Sequence, residues 1–153
     1  MNKPTLYIMC GLSGSGKSTI TTQIANENPN TIIVSSDAIR EELTGNYENQ
    51  EHNKEVFKIF HDRIRKNLEN KKNVIADATN LTMKSRRAIM MKVNGLNVRK
   101  VCVIIPKPFE QCKKDNLHRE HPVPDFVLDK QIRKFQIPFY EEGFDETIIH
   151  LSL

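Results

Sequence analysis

The stretch GLSGSGKS, residues 11–18, decides the fold. It matches the pattern G-x-x-x-x-G-K-[ST], in which main-chain N–H groups of a glycine-rich loop surround a phosphate group. Such a loop needs glycine where φ is positive or where a side chain would block the approach to the phosphate. The preceding LYIMC predicts a strand and the following STITTQIA predicts a helix, which is the context that this loop requires. The sequence therefore predicts a site for nucleotide phosphates.

Residues of this loop have separate tasks. Lys17 would place its ammonium against the β and γ oxygens of a nucleoside triphosphate, and Ser18 would offer a hydroxyl to Mg²⁺. The helix that begins here would direct its positive end at the phosphates. The residues expected to hold the nucleotide are Gly11, Ser13, Gly14, Ser15, Gly16, Lys17, Ser18 and Thr19.

Apolar runs rich in Val, Ile and Leu recur along the chain, and each is followed by a helical pattern. Continuous apolar runs, rather than alternating ones, indicate strands that are covered on both faces. Five such runs interleaved with helices predict an α/β fold with a parallel sheet wrapped by helices. The predicted strands are Thr5–Cys10, Thr31–Ser35, Asn73–Ala76, Arg99–Ile105 and Thr147–Leu151.

Periodicity and turn residues also predict the helices. The polar segment DNLHREHPVP, residues 115–124, is expected to cross open surface within a helical lid over about residues 108–137. Phe57 and Phe60 recur at core spacing and are predicted to pack inside. The predicted helices run from the glycine-rich loop to before Pro29, from Asp37 onward, over 51–70, over 82–94 with Gly95 as terminator, and from near Pro108 and Pro124.

Composition limits the class of protein. The chain of 153 residues is 38% hydrophobic and 27% charged, which is typical of one soluble globular domain, residues 1–153, without a membrane span. An odd number of cysteines, 3, at unrelated spacings predicts reduced thiols and a cytoplasmic location. A net charge of +4 suits a polyanionic partner, although a solvated surface with an incidental surplus would give the same sum.

A second group of polar residues follows the second predicted strand, in SSDAIR. Ligands of open α/β sheets gather beyond the carboxyl ends of the strands, so Asp37 should lie on the same edge as the glycine-rich loop. Its carboxylate could accept a proton from an attacking hydroxyl, and Arg40, on the same helical face, could hold an anion beside it. The alternative is that Asp37 only offsets the helix dipole and that Arg40 is a surface partner of Glu41 or Glu42.

The third strand ends in VIADATN. Asp77 follows apolar residues, as a Walker B carboxylate does, and could bind a water on Mg²⁺. Thr79 and Asn80 could line the pocket of the acceptor. The alternative is that these residues form an Asx or Ser/Thr turn that closes the strand.

Arg119 lies in the expected lid. Phosphoryl transfer leaves negative charge on the equatorial oxygens, and an arginine from a closing segment can stabilise that charge. Its neighbours Lys113, Lys114 and His118 make the segment basic.

The ordered set GLSGSGKST, SSDAIR, VIADATNLTMKSRR and CKKDNLHR resembles the polynucleotide 5′-kinase family, in particular the kinase domains of bacterial and phage end-healing enzymes. The resemblance covers nearly the whole chain. It implies a three-layer, adenylate-kinase-like P-loop NTPase fold and a role in nucleic acid repair. It also implies transfer of the γ-phosphoryl group of ATP to the 5′-hydroxyl end of a DNA or RNA strand.

The same resemblance implies roles for individual residues. Lys17 and Ser18 would bind phosphate and metal, Asp37 would act as general base, and Arg40 would contact the first phosphate of the acceptor strand. Arg119 falls where the family has a lid arginine on the ATP phosphates. The family often has a second lid arginine where this chain has Asp115, so either Lys113 or Lys114 substitutes for it or the lid acts through Arg119 alone.

Two other functions are compatible with these motifs. One is a P-loop kinase whose acceptor is a small metabolite, a nucleotide sugar or an amino acid linked to a tRNA. The other is a binding module that hydrolyses ATP slowly and holds a partner on its basic face. The pair Asp37 and Arg40 argues against the second, because a pure switch needs no acceptor site.

Overall fold

A computed structural model describes residues 3–150. Strands alternate with helices from the first strand to the last, as the sequence predicts. The elements are β1 (Thr5–Cys10), α1 (Lys17–Glu27), β2 (Thr31–Ser35), α2 (Ser36–Thr44), α3 (Asn53–Glu69), β3 (Asn73–Asp77), α4 (Met83–Lys92), β4 (Arg99–Ile104), α5 (Phe109–Asn116), α6 (Asp125–Lys134), a 3₁₀ turn (Tyr140–Glu142) and β5 (Glu146–Ile149).

The five strands form one sheet in the order β2-β3-β1-β4-β5, and every neighbouring pair is parallel. The register pairs Ser35 with Asp77 and Cys10 with Ile104, so the strands end along one common edge. This edge therefore collects the residues that follow β1, β2, β3 and β4. The α/β P-loop fold with a five-stranded parallel sheet is confirmed.

Two buried clusters lie on opposite faces of the sheet and make the fold three-layered. One unites alternate strand residues such as Leu6 and Ile8 with Phe60 and Ile64 of α3. The other joins the intervening residues, among them Met9, to α1. Burial of such side chains stabilises the fold by about 1.5–3 kcal/mol each. Within residues 3–150, no helix is long and apolar enough to cross a bilayer.

Some helices begin or end at other residues than predicted, because capping interactions fix where they start and stop. Helix α2 begins at Ser36, before Asp37, because the Ser35 hydroxyl accepts a hydrogen bond from the Ala38 N–H. Pro108 and Pro124 precede α5 and α6 as cap residues in extended conformation, so they do not lie inside the first turn. Gly95 has φ of +88° but lies in the turn after α4, which ends at Lys92.

The other differences are short. Helix α3 begins at Asn53, Asp77 belongs to β3, and β4 ends at Ile104. The last strand runs from Glu146 to Ile149, and Leu151 of its predicted range lies outside the residues described.

The three cysteines are free, as predicted, and all are buried. Burial raises the pKa of Cys10 to about 11 and that of Cys102 to about 12. Burial also raises the pKa of Cys112. These thiols therefore stay protonated at neutral pH and pack as small apolar groups rather than act as nucleophiles.

Candidate active site

The glycine-rich loop follows β1 at the carboxyl edge of the sheet. Gly14 and Gly16 have φ of +80° and +90°, which only glycine adopts without strain. The Gly11 N–H donates to the Thr79 carbonyl at 3.1 Å, which joins the start of the loop to the end of β3. Helix α1 begins at Lys17 with no side-chain cap, so its N-terminal N–H groups are directed toward the loop. This is the anion-binding geometry that the sequence predicts.

A cavity of about 210 Å³ adjoins the loop. Its wall consists of residues 12–14 and 16–19 together with Lys107, Asp115 and Arg119. The Lys17 ammonium lies 3.6 Å from the Asp77 carboxylate, and both side chains are largely buried. The loop lysine and the carboxylate at the end of β3 therefore meet beside the cavity.

The lid segment, residues 108–137, is docked directly on the loop. A Cβ atom at Gly14 would collide with the carbonyl oxygen of Cys112 in α5. Gln131 of α6 accepts from the Ser13 N–H at 2.9 Å and donates to the Ser13 hydroxyl at 2.9 Å. The Ser13 N–H and hydroxyl are therefore both hydrogen-bonded to Gln131 of the lid segment; Ser13 also lines the cavity, and its part in holding the nucleotide stays a prediction.

Asn116 fixes the turn that carries Arg119. Its fully buried amide donates to the Val123 carbonyl at 2.7 Å and accepts from the Val123 N–H at 3.1 Å. The Arg119 side chain lies in the cavity wall, and its Nη1 is buried without a hydrogen-bond partner within residues 3–150. A buried guanidinium nitrogen without an acceptor is costly, so this nitrogen is suited to an anionic ligand in the cavity.

The acceptor side of the edge is formed by α2 and the start of α3. The Arg40 guanidinium donates to Asp37 at 2.8 Å and to the Asn53 side-chain oxygen at 2.8 Å. The Asp37 side chain is 60% exposed, whereas that of Arg40 is 7% exposed. Arg40 is therefore a buried group that orients Asp37, and not the surface partner of Glu41 or Glu42. Two of its guanidinium nitrogens are engaged by protein oxygens, and its contact with the first phosphate of the acceptor strand stays a prediction.

Asn80 corrects the expectation for the acceptor pocket. Its side chain is buried and donates to the carbonyls of Met9, Ala76 and Ala78 at 2.7, 3.3 and 3.4 Å. Its φ of +47° is a turn conformation that asparagine tolerates. The residue thus closes the end of β3 against β1, as in the alternative interpretation, and does not line a pocket. Thr79 is half-buried and supplies the carbonyl that holds Gly11.

Arg86 and Glu142 form a buried ion pair that the sequence analysis did not identify. Two guanidinium nitrogens of Arg86 donate to the two Glu142 carboxylate oxygens at 2.9 and 3.0 Å, and a third donates to the Asn80 carbonyl at 2.9 Å. Arg86 is fully buried in α4. A charged residue three positions before the buried Ile89 was the available signal, since both lie on the same helical face.

Lys107 is a second residue that the sequence analysis missed. Its ammonium donates to the Gly14 carbonyl at 3.2 Å and pairs with Asp115, and it lies in the cavity wall. Lys113, by contrast, faces Asp125 and Asp129 of α6, and Lys114 is exposed. The expected alternatives, Lys113, Lys114 or Arg119 alone, therefore omit the lysine that lies at the cavity.

An aromatic contact joins the acceptor side to the lid segment. The rings of Tyr47 and His121 lie 4.2 Å apart between centroids and are tilted by 52°. Desolvation raises the pKa of the Tyr47 hydroxyl, and the carboxylate of Glu48 raises it further. The charge of Arg119 lowers this pKa and that of Asp37 raises it.

The fold and these residues define a P-loop kinase: a phosphate loop on one side, an exposed carboxylate on the other and an arginine-bearing lid segment between them. Residues 6–138 match the family described as AAA domain, and the chain belongs to this family.

The known proteins that are similar to the chain include the following three. An L-seryl-tRNA(Sec) kinase of Methanococcus maripaludis is 30% identical over 145 residues, which cover 92% of this chain and 56% of that protein. A chain of the Pnkp1/Rnl/Hen1 RNA repair complex has a TM-score of 0.77 and 24% identity over 95% of this chain and 47% of its own. A gluconokinase from Sinorhizobium meliloti 1021 has a TM-score of 0.66 and 20% identity over 99% of this chain and 84% of its own. The chain spans about half the length of the first two.

Proposed function

We propose that the protein is a polynucleotide 5′-hydroxyl kinase. In this reaction Asp37 accepts the proton of a terminal 5′-hydroxyl while the oxygen forms a bond to the γ-phosphorus of ATP. The bond from that phosphorus to the bridging oxygen of the β-phosphate breaks, and ADP leaves. The products are a 5′-phosphorylated strand, ADP and a proton that Asp37 returns to water.

The environment of Asp37 is the observation that carries this proposal. The carboxylate is 60% exposed at the edge where the phosphate loop also opens, and Arg40 holds one of its oxygens at 2.8 Å. An oriented and accessible carboxylate is what a general base for an incoming hydroxyl requires. A carboxylate that only offset the dipole of α2 would need no buried arginine behind it.

Three features favour a nucleic acid as the acceptor. The ring pair Tyr47 and His121 adjoins the Asp37 side and offers an aromatic surface for stacking a base. The net charge of +4 favours a polyanion. The similar proteins include a chain of an RNA repair complex and an L-seryl-tRNA(Sec) kinase, and both descriptions concern RNA.

The residues at the loop fit Mg²⁺. The Ser18 side chain is exposed at the start of α1, and Asp77 lies beside Lys17, so a hydroxyl and a carboxylate are available. Hard oxygen ligands of this kind suit Mg²⁺. We propose that Ser18 holds the ion directly and Asp77 through water, where its charge would offset that of the phosphates.

A second candidate acceptor is the hydroxyl of a serine esterified to a tRNA. The identity of 30% over 145 residues with the L-seryl-tRNA(Sec) kinase favours it. The same base and the same phosphate loop would serve, since in both reactions a primary hydroxyl attacks the γ-phosphorus. The two candidates differ only in the group that presents the hydroxyl.

An acceptor screen tests the proposal. The protein is incubated with γ-labelled ATP and Mg²⁺ and, in separate reactions, with 5′-hydroxyl RNA, 5′-hydroxyl DNA, seryl-tRNA and gluconate. Label on the terminal 5′ position of RNA or DNA, absent from a 5′-phosphorylated control strand, is expected. Label on gluconate or on seryl-tRNA alone would overturn the proposal.

A further inference from the structure

Lys107 lies in the wall of the cavity that adjoins the phosphate loop. It follows β4 in the segment that leads into α5, and only 14% of its side chain is exposed. The aliphatic chain is therefore covered, and the ammonium reaches the wall of the same cavity that Lys17 and Arg119 adjoin. None of the stretches GLSGSGKST, SSDAIR, VIADATNLTMKSRR and CKKDNLHR includes this position.

The partners of Lys107 leave one donor free. A lysine ammonium has three N–H donors. One donates to the Gly14 carbonyl at 3.2 Å and another serves Asp115, which together occupy two. The third has no protein acceptor within residues 3–150, so it is available to an oxygen in the cavity.

Asp115 holds this ammonium in place. Its other oxygen accepts from the Gln111 side chain at 2.9 Å, which anchors the carboxylate on α5. The hydrogen bonds from Lys107 and Gln111 hold the pKa of the Asp115 carboxyl below its usual value. The carboxylate therefore stays ionised at neutral pH and keeps the lysine beside Gly14.

We propose that Lys107 binds the phosphates of ATP directly and that Asp115 is its positioning residue. The proposal rests on the ATP-dependent kinase activity and is independent of which acceptor the enzyme uses. It also gives Asp115 a role. The polynucleotide 5′-kinase family often has a lid arginine at this position; here Asp115 instead holds the ammonium of Lys107, from the β4–α5 connection, at the cavity.

The test compares the affinity for ATP of matched variants by isothermal titration calorimetry. Lys107→Met should weaken ATP binding by about 10- to 100-fold, since one charge-assisted hydrogen bond is lost. Lys114→Met is the matched control, because Lys114 is exposed on the same segment and should bind ATP like the parent. Parental ATP affinity in Lys107→Met would overturn the proposal and leave the ion pair a purely structural link.

The role of Asp115 requires a second comparison. Asp115→Asn should weaken ATP binding in the parent, and it should cause no further loss in the Lys107→Met background, because the carboxylate favours ATP only through the lysine and otherwise lies in the cavity wall as a like charge. Additive losses in the double variant would overturn the positioning role. If Lys107→Met does not fold, Lys107→Arg and Asp115→Asn are compared instead. Lys107→Arg should retain the parental affinity for ATP, and Asp115→Asn should bind ATP more weakly. Equal affinities of these two variants for ATP would contradict the proposal.

Discussion

The donor side and the acceptor side of this edge are built differently. The donor side is centred on one continuous loop that offers main-chain N–H groups, and the lid segment contacts this loop at Gly14 and Ser13. The acceptor side is assembled from side chains on separate elements, with Asp37 held by Arg40 and Arg40 held by Asn53. The core of the donor side therefore depends on local backbone conformation, while the acceptor side depends on side-chain contacts between α2 and α3.

The largest expected effect concerns the acceptor side. Asp37→Asn keeps an oxygen for Arg40 but cannot take up a proton, so kcat should fall by about 10²–10⁴-fold. ATP affinity should be unchanged, because the substituted residue lies outside the cavity wall. Steady-state transfer rates and an ATP titration measure the two quantities.

Glu41→Gln is the control for this prediction, since Glu41 is an exposed carboxylate on the same helix. It should transfer phosphate at the parental rate. A parental transfer rate in Asp37→Asn would show that Asp37 is not the general base.

A matched pair of glycines tests the donor side. Gly45→Ala should cost about 1–2 kcal/mol of unfolding free energy, because φ is +76° but no atom lies within 4 Å of the added Cβ. Gly14→Ala, at φ of +80°, adds a collision with Cys112 and should cost about 1–3 kcal/mol more.

Urea unfolding with and without ATP measures both variants. Gly14→Ala should also gain less stability from ATP than Gly45→Ala does. Equal unfolding free energies of the two variants would show that the lid segment does not pack tightly against the loop at Gly14.

The smallest expected effect comes from the residue behind Arg40. Asn53→Ala removes an acceptor at 2.8 Å and frees the guanidinium, so kcat should fall by about 3- to 30-fold while ATP affinity stays the same. Asn53→Asp retains an oxygen at that place and should keep most of the rate. A loss of ATP affinity in Asn53→Ala would mean that the two sides are coupled.

The same difference explains what could be predicted from the sequence. The strands and the phosphate loop depend on local signals, namely apolar runs and glycine spacing, and β1 and β2 are found at their predicted bounds. The burial of Arg40 depends on Asn53, and the place of Lys107 depends on Asp115 and Gly14. Contacts of this kind are decided by packing between elements, which no spacing along the chain reports.

Asn80 shows the converse error. A residue after an apolar strand can either bind a ligand or close a turn. Only the hydrogen bonds from the Asn80 amide to the carbonyls of Met9 and Ala76 show that it closes the turn. The ion pair of Arg86 with Glu142, 56 residues apart, could not be found from helical spacing alone.

The most direct test of the central claim is a competition in one reaction. Equal concentrations of 5′-hydroxyl RNA, seryl-tRNA and gluconate are supplied with γ-labelled ATP, and the labelled products are separated and quantified to give ratios of kcat/KM. The account predicts that 5′-hydroxyl RNA receives most of the label and that Asp37→Asn lowers this transfer by about 10²–10⁴-fold. Labelling of gluconate or seryl-tRNA in preference to the RNA end would contradict it.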